Sequence, residues 1–510
     1  MQTLRLILGD QLNQKHSWFK NPDDTVVYVM AELSQETDYV LHHIQKVVGF
    51  FAAMRHFAQW LREQGHRVDY FKITDAQNPQ TLEALIQESI KRHQISRLEY
   101  LLPDEYRLDV MLAEICNKLD IASQPYDTEH FFTTREELSV FFTEKKTFLM
   151  ESFYRHMRLK HQILVDGANP RGGKWNYDHN NRSPFKGEVA VAPPKVFSRD
   201  VSGIVSEIAA AGIKTFGSIA PTAFDWPTSR EESLEILKHF CLNLLEHFGD
   251  YQDAMAINHP FLFHSRLSFA MNTKMIGPKE VVKTILNYYE KFNREIKLPE
   301  IEGFIRQILG WREYMRGMYW MRMPEFAAQN ALQHQQPLPR WFWNGNTKMN
   351  CLHHAIGQSL ELAYAHHIQR LMVIGNFALL AQTHPNAVDD WYLGVYIDAL
   401  EWVEMPNTRG MSQWADGGII ATKPYIASGN YINKMSDYCK GCVYDVKKRT
   451  SKDACPFNSL YWNFLDDHRT HFENNPRMTM MLALLDKIKP SELSQIKEKA
   501  QELLATINDL

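Results

Sequence analysis

The 510-residue sequence contains only six cysteines and no long uncharged apolar run. So few thiols exclude a scaffold held together by disulfides, and the missing apolar run argues against a membrane-spanning helix. No stretch has the character of a secretory signal peptide. We therefore expect a soluble protein of a reducing compartment, without a membrane partner.

A strong excess of charge of one sign is also missing. The chain has 56 Lys and Arg against 60 Asp and Glu, a formal net charge of −4. This balance excludes a general electrostatic attraction to nucleic acid, so any DNA contact must come from a local basic surface. An internal repeat, a low-complexity tract and the GxGxxG fingerprint of dinucleotide-binding proteins are absent as well.

The chain is rich in aromatic residues, with 12 Trp, 21 Tyr and 28 Phe. This content suits bulky helix packing, and it equally suits a protein that stacks on planar rings. Apolar runs near the N-terminus alternate with amphipathic stretches, a pattern that predicts a doubly wound parallel sheet in an α/β domain. The predicted strands are Leu4–Leu8, Val26–Met30, Val68–Ile73 and Leu98–Leu102, and the predicted helices are Tyr39–Gln64, Gln80–His93 and Glu105–Leu119.

The length requires more than one domain, and the pattern changes twice along the chain. We predict an α/β domain over 1–130, a connector over 131–199 that ends near Pro193-Pro194, and a large all-α domain over 200–510. Within the connector, the stretch from Arg171 to Lys186 interleaves cations with aromatics. It is a candidate nucleic-acid contact, and a solvated linker explains it equally well. Helices of the last domain are predicted over Ser233–His247, Pro278–Phe292, Ile301–Trp320 and Gly357–Thr383.

Four of the cysteines form the most informative pattern. Cys351 is followed by Cys439-x2-Cys442-x12-Cys455, and a proline follows the last cysteine. Four sulfur ligands that converge on one point hold an iron–sulfur cluster or a tetrahedral zinc ion, and the final Cys-Pro pair is typical of ferredoxin-type ligation. The spacing alone leaves both metals open, as well as four unconnected core thiols.

Four further motifs follow one another in the helical domain. His264-Ser-Arg-Leu-Ser268 could start a helix and bind an anion, although serine there is usually only a cap. Gln307 and Trp311-Arg-Glu313 place polar and aromatic groups on neighbouring helical turns. His366-His367-x-x-Arg370 puts a histidine and an arginine on one helical face, and paired histidines supply a proton donor near neutral pH. Redox-capable rings and acids then follow at Trp391, Tyr392, Asp398, Glu401, Glu404, Asn407 and Met411.

In this order, the motifs and the four cysteines resemble the photolyase/cryptochrome family, specifically its bacterial iron–sulfur (6-4) photolyase branch. The resemblance covers nearly the whole chain. It implies FAD, a [4Fe–4S] cluster on the four cysteines, and a lumazine antenna, 6,7-dimethyl-8-ribityllumazine, in the α/β domain. The implied FAD-binding residues are His264, Ser265, Leu267, Ser268, Gln307, Trp311, Asp398, Glu401, Glu404, Asn407, Met411 and Tyr251. Asp10 and Glu36 are our candidates for antenna contacts.

The same resemblance implies a function: reduced FAD, excited by light, gives an electron to a UV-damaged pyrimidine pair flipped out of DNA. Repair of a (6-4) lesion also needs an acid, and we assign it to His366, with His367 beside it. Tyr425 and Tyr431 should line the lesion pocket, with Asp253 as a further candidate, and Arg370 should pair with Glu401 over the flavin. Met411 replaces the family's flavin-proximal Trp, so Trp391, Tyr392 and Trp343 should carry electrons instead. We expect a monomer in the bacterial cytoplasm.

Three alternatives stay open on the sequence. A blue-light receptor of cryptochrome type would keep the flavin and the cluster without repairing DNA. A cyclobutane dimer photolyase would share the pocket and need no proton donor. A zinc-bearing nucleic-acid-binding protein with a vestigial flavin pocket would be colourless when purified.

Overall fold

A parallel sheet forms the N-terminal part of the computed structural model, which describes residues 2–292 and 295–510. Its strands are β1 (Thr3–Leu6), β2 (Val26–Ala31), β3 (Arg67–Phe71), β4 (Arg97–Leu101) and β5 (Ala122–Tyr126). They lie in the order β3-β2-β1-β4-β5, and all neighbouring pairs are parallel. The doubly wound sheet and its four predicted strands are confirmed.

Strand β5 was missing from the prediction because its sequence, ASQPY, is polar and largely exposed. A proline is tolerated there since β5 is an edge strand with one unpaired side. The helices Ile44–Glu63, Leu82–His93 and Tyr106–Lys118 connect the strands, close to the predicted bounds. Their apolar faces and the sheet enclose a core that includes Leu4, Val29, Leu85, Leu98 and Leu112.

The chain is mainly helical from residue 200 onward, as predicted, and two α-helices also lie in the segment predicted as a connector. The longer α-helices are Met150–His161, Ser202–Ala210, Arg230–Asn243, Leu245–Tyr251, Pro278–Phe292, Leu298–Ile305, Glu313–Arg322, Asn350–Leu362, Pro385–Val395, Gly429–Met435, Pro456–Asp467, Thr479–Leu485 and Pro490–Ala505. Shorter ones are Glu137–Phe141, Ser268–Asn272, Asn376–Leu380, Glu401–Met405 and Arg469–Phe472. Within the described ranges, none of these helices combines the length and apolarity needed to cross a membrane.

Two predicted helices are wrong in their continuity. The helix predicted over Gly357–Thr383 ends at Leu362, because Ala363 takes a left-handed conformation with φ of 50°. The helix predicted over Ser233–His247 is divided at Leu244. Apolar periodicity continues across both breaks, so the hydrophobic pattern could not reveal them.

The segment predicted as a connector contains a helix, Met150–His161, which packs one buried face against the π-helical turn Arg306–Arg312. The approach is close because Gly310 has no side chain: a Cβ there would lie 3.1 Å from the sulfur of Met150 and 3.2 Å from the ring of Tyr154.

Buried charges join the sheet to the helical part. The Lys274 ammonium lies 2.6 Å from Asp10 and 3.0 Å from Asp104, and Arg316 lies 3.1 Å from Asp104. Burial opposes ionisation of Asp104, but Lys274 and Arg316 outweigh it and lower the pKa of Asp104 to about 2. Because one charge left without its partner in the interior is costly, the ion pairs fix how the sheet meets the helices.

Candidate active site and cysteine centre

Two neighbouring histidine rings lie at the centre of the helical domain. The imidazoles of His264 and His366 are parallel, with centroids 4.4 Å apart and planes inclined by 14°. His366 is buried, and its Nδ1 and the Nε2 of His264 have no hydrogen-bond partner among the described residues. His367 remains accessible to solvent although protein surrounds it. Unpartnered polar atoms beside an accessible side chain are typical of a pocket that receives a polar ligand.

Burial keeps these histidines neutral. Desolvation, and then the neighbouring His264, His367 and Arg370, hold the pKa of His366 well below its usual value. Desolvation, assisted by His367, lowers the pKa of His264 to about 4, and desolvation with Arg370 lowers that of His367 to about 4. Negative charge that arrives beside these histidines would raise their pKa values again.

Arg370 pairs with Asp398, so the predicted pair with Glu401 is wrong. Its guanidinium donates a hydrogen bond to Oδ2 of Asp398 at 3.1 Å, and its Nη1 lies 3.0 Å from Oδ1 as an ion pair. Glu401 instead accepts a hydrogen bond from the Tyr319 hydroxyl at 3.0 Å. The N–H of Arg370 donates to the carbonyl of His366, as the predicted i, i+4 relation requires.

The predicted motifs coincide with π-helical turns, which the sequence pattern did not indicate. These turns are Arg306–Arg312, Gln369–Gly375 and Pro406–Ser412. A π turn widens the helix by one residue and re-aims its side chains, and such turns are frequent at functional sites. They carry Gln307 and Trp311, then Arg370, then Asn407 and Met411.

Part of the second motif joins domains instead of facing the histidines. Arg312 is buried and donates to Asn272 and to the carbonyl of Met271. Glu313 accepts from the hydroxyl and the N–H of Thr133. Trp311 is half-buried beside them.

Gln307 lies near His264, because it contacts Gln252 and the backbone of Gln252 is hydrogen-bonded to the His264 ring. Its amide donates to Gln252 at 3.4 Å, and Gln252 closely follows Tyr251, whose ring stacks on Phe263. The Tyr251 hydroxyl donates to Glu188 at 2.9 Å.

The serine motif borders a second cavity. Ser265 and His264 line a space of about 320 Å³ together with Lys195, His239 and Arg266. Leu267 and Ser268 open a helix of only five residues, which lacks a side-chain cap. The helix start at which we expected an anion site is therefore only a single turn. Lys195 and Arg266 are the cations that line the cavity beside it.

Two acids on either side of Trp391 in the sequence, Asp389 and Glu404, are buried. Asp389 is ion-paired with Arg409, and the Thr408 hydroxyl donates to Glu404. Desolvation, then Asp389, holds the pKa of Glu404 well above its usual value. Asn407 donates to the carbonyl of Val403, and the Met411 side chain is buried.

The proposed electron carriers are only partly brought together. The rings of Trp391 and Tyr392 have centroids 5.4 Å apart and are buried. Trp391 also meets Phe342 at 5.2 Å, and Phe342 precedes Trp343 in the chain. Trp343 is 43% exposed, so this row of rings extends from the interior to the surface.

Tyr425 and Tyr431 share a charged neighbourhood with the connector. Desolvation and Asp253 raise the pKa of Tyr431, and desolvation with Asp253 alongside Asp178 raises that of Tyr425. Arg182 pairs with Asp178, and Arg171 pairs with Glu290. Two cations of the predicted nucleic-acid segment are thus already neutralised. Lys423 stands beside Arg477 and Arg182, and burial, with these cations, lowers its pKa.

All four predicted cysteines line one cavity, together with Tyr438 and Tyr444. Cys351 lies in the first turn of Asn350–Leu362, and Cys455 directly precedes Pro456–Asp467. A Cβ at Gly429 would approach the sulfur of Cys455 to 2.8 Å, so this wall of the cavity requires glycine. In the described part of the chain, no three His, Cys, Asp or Glu side chains are close enough to hold a single metal ion.

Asp10 and Glu36 line a further cavity, at the carboxyl ends of the strands. Leu8, Phe50, Leu82 and Leu108 give it an apolar wall. Asp10 is ion-paired with Lys274, and Glu36 with Arg107 at 2.7 Å.

Lys46 and His42 are among the polar residues of this cavity that the sequence reasoning missed. Lys46 is buried, donates to the carbonyls of Leu393 and Ala399, and has a pKa lowered by desolvation to about 8. A lysine inside an otherwise apolar helical face was the available signal.

Two other buried histidines predict an acid-sensitive fold. Desolvation lowers the pKa of His43 to about 4 and that of His334 to about 3, below the unfolded value near 6.5. The unfolded chain therefore binds protons first as the pH falls below about 6.5, and the stability present above that value is lost. We expect each of the two to remove on the order of 3 kcal/mol by pH 4.

The expected loss can be measured as the denaturant midpoint at pH 7, 5.5 and 4.5. The variant His334→Gln should show a flatter dependence on pH than the parent protein. A midpoint that stays constant from pH 7 to pH 4.5 would contradict the prediction.

Comparison with known proteins gives a consistent result. Residues 5–226 match the family model described as deoxyribodipyrimidine photo-lyase-related protein. The chain is 39% identical to the (6-4) photolyase of Agrobacterium fabrum over 513 residues, which cover 100% of both chains. The crystal structure of a bacterial class III photolyase from Agrobacterium tumefaciens aligns with a TM-score of 0.57 at 13% identity, covering 93% of this chain and 98% of that one. A cryptochrome from Synechocystis sp. PCC6803 aligns with a TM-score of 0.54 at 12% identity, covering 97% and 93%. The two structural likenesses concern the fold alone.

Proposed function

The chain belongs to the family of photolyase-related proteins, and from this premise we propose that it repairs (6-4) photoproducts in UV-damaged DNA with the energy of light. The observation that carries the proposal is the full-length identity of 39% to a (6-4) photolyase. The buried pair His264 and His366 supports it, because the reaction needs an acid at the lesion.

Family membership implies a flavin, and the residues around the histidines suit FAD. Unpartnered nitrogens of His264 and His366, the accessible His367 and the ion pair of Arg370 with Asp398 offer polar contacts to a ring system. The Ser265 hydroxyl offers a contact to a diphosphate, and Lys195 and Arg266 of its cavity would have to share their charge with Glu235 and Asp225. When bound and reduced, the flavin supplies the electron after it absorbs light.

The chain itself supplies the proton. His366 is buried against His264, and the negative charge of a flavin and of DNA would raise the pKa values that burial lowers. His366 would then carry a proton where the lesion enters. The ion pair with Asp398 would hold the guanidinium of Arg370 in a fixed position beside it.

The DNA would approach beside Tyr425 and Tyr431. These rings suit the unstacked bases of a flipped lesion, and the adjacent Lys423 and Arg477 suit the flanking phosphates. The close approach of Lys423 to like charges is itself unfavourable in the free protein, and an anionic partner would relieve it.

The four cysteines would hold a [4Fe–4S] cluster. Their common cavity and the glycine wall at Gly429 fit a group that fills the space between the sulfurs. Trp391, Tyr392 and Trp343 would carry electrons between the flavin and the surface.

The cavity of Asp10 and Glu36 would bind the lumazine antenna. Its apolar walls suit a planar ring, and Lys46 with the unpartnered Nδ1 of His42 offers contacts to ring carbonyls and nitrogens.

The decisive experiment is lesion turnover by the reduced holoprotein. An oligonucleotide with one (6-4) photoproduct is incubated in blue light and in the dark, and the restored thymines are counted. We expect restoration in light only. A flavin-bearing protein that restores no thymines, or that repairs only cyclobutane dimers, would contradict the proposal.

A further inference from the structure

A buried chain of hydrogen bonds runs from the cysteine centre to His366. The amide nitrogen of Gln369 donates to the Tyr438 hydroxyl at 2.9 Å, and the Gln369 carbonyl oxygen accepts from the backbone N–H of His366 at 3.0 Å. Tyr438 and Gln369 are each 1% exposed. Two side chains therefore separate Cys439, the neighbour of Tyr438, from the proposed proton donor.

The helix that carries Cys351 holds Tyr438, the neighbour of Cys439, in place. Its carbonyl accepts from the Asn350 side chain at 2.7 Å, and Asn350 precedes Cys351. Its ring is parallel to that of His354, one helical turn further along, at 5.9 Å and 9°. The Tyr438 hydroxyl consequently has a position that depends on Cys351 and Cys439.

Gln369 is held in one orientation at the other end. Its amide also donates to Gln358, and the Gln358 amide donates back to Gln369 and to the carbonyl of Tyr364. The helix resumes at His367, so the N–H of His366 has no partner within the helix. Gln369 supplies that partner in the manner of a capping box, in which the side chain three residues on reaches back.

We infer that Tyr438 and Gln369 are positioning residues that make the place of His366 depend on the integrity of the cysteine centre. The inference rests on the proposed roles of the cysteines and of His366. An ordered cysteine centre fixes the Tyr438 hydroxyl, the hydroxyl fixes the Gln369 amide, and the amide fixes the backbone at His366. Loss of the centre frees that backbone.

The test is hydrogen–deuterium exchange of the holoprotein, read on peptides that contain the His366 amide. Tyr438→Phe removes one hydroxyl and keeps the ring on His354. We expect exchange at His366 to rise between about twofold and tenfold, the effect of one lost hydrogen bond, with iron and flavin contents unchanged. The matched control is Tyr461→Phe, on the helix that follows Cys455, which should leave the exchange unaltered.

Photorepair gives a second readout. Tyr438→Phe should lower the turnover of bound lesion about tenfold and leave the Kd for lesion DNA unchanged. Gln369→Met should have at least this effect, and the double variant should be no worse than Gln369→Met alone, since both act through one bridge. Unchanged exchange and turnover in an iron-replete Tyr438→Phe protein would overturn the inference. Absence of repair in the parent protein would overturn the proposed function. The exchange result would still show whether Tyr438 and Gln369 position the backbone at His366.

A reciprocal measurement covers the case in which Tyr438→Phe fails to retain iron. Gln369 is distant in sequence from the four cysteines, and coupling between two sites acts in both directions. Gln369→Met should therefore speed the release of iron to a chelator about tenfold relative to Tyr461→Phe. Equal release rates would overturn the inference.

Discussion

Replacement of His366 by alanine should lower photorepair of (6-4) lesions by about 10²-fold to 10⁴-fold, the usual range for loss of a general acid. We expect the neighbouring His264 and His367 not to replace it, because a general acid must lie within hydrogen-bond reach of the atom that it protonates. Flavin content and the Kd for lesion DNA should change little. Turnover under saturating lesion and constant light measures the effect.

Added imidazole separates the loss of an acid from a general disturbance. Removal of a buried ring leaves a cavity of its own shape, and a small molecule can occupy such a cavity. Imidazole should therefore restore part of the turnover of His366→Ala. The matched control is His93→Ala, which removes a 2.6 Å contact of the His93 ring with Asp69 in the α/β domain and should repair at the parental rate. A His366→Ala protein with more than half of the parental turnover would refute the assignment.

The sequence predicted what depends on local pattern. Alternation of apolar strands and amphipathic helices was sufficient for the sheet, because a buried parallel sheet needs apolar strands. The edge strand Ala122–Tyr126 was not predicted, because it is polar and lacks this apolar pattern. The helix break at Ala363 was also invisible, since it depends on one left-handed residue within a continuous apolar pattern.

Side-chain partners were less predictable than positions. Asp398 and Glu401 are close to each other in the sequence, and only the fold decides that Asp398 is the acid that reaches Arg370. Gln369 and Tyr438 are 69 residues apart, and although each stands in or beside a motif, no sequence pattern pairs them. The cysteines are an exception. Their spacing, which is typical of sulfur ligands of one centre, predicted that all four would meet, and they do line one cavity.

Replacement of Cys439 by serine should remove the iron and unfold the segment around it. Three hydrogen bonds tie the loop over 436–455 to the helix that follows it. The Asn458 amide donates to the carbonyls of Val446 and Lys448, and the Ser459 hydroxyl donates to that of Arg449. Apart from these contacts it has little apolar burial of its own, so the energy of the metal site would be its main source of order.

The expected result for Cys439→Ser is a protein without iron that a protease cuts first between 436 and 455. The stability loss should amount to several kcal/mol, since metal binding in such a site is also folding free energy. Cys116→Ser is the matched control, because Cys116 lies in the α/β domain and does not line the cysteine cavity. Iron content and the order of proteolytic cuts measure the effect. If Cys439→Ser keeps full iron or the parental cleavage pattern, the four cysteines do not act together, and His366 cannot depend on them through Tyr438.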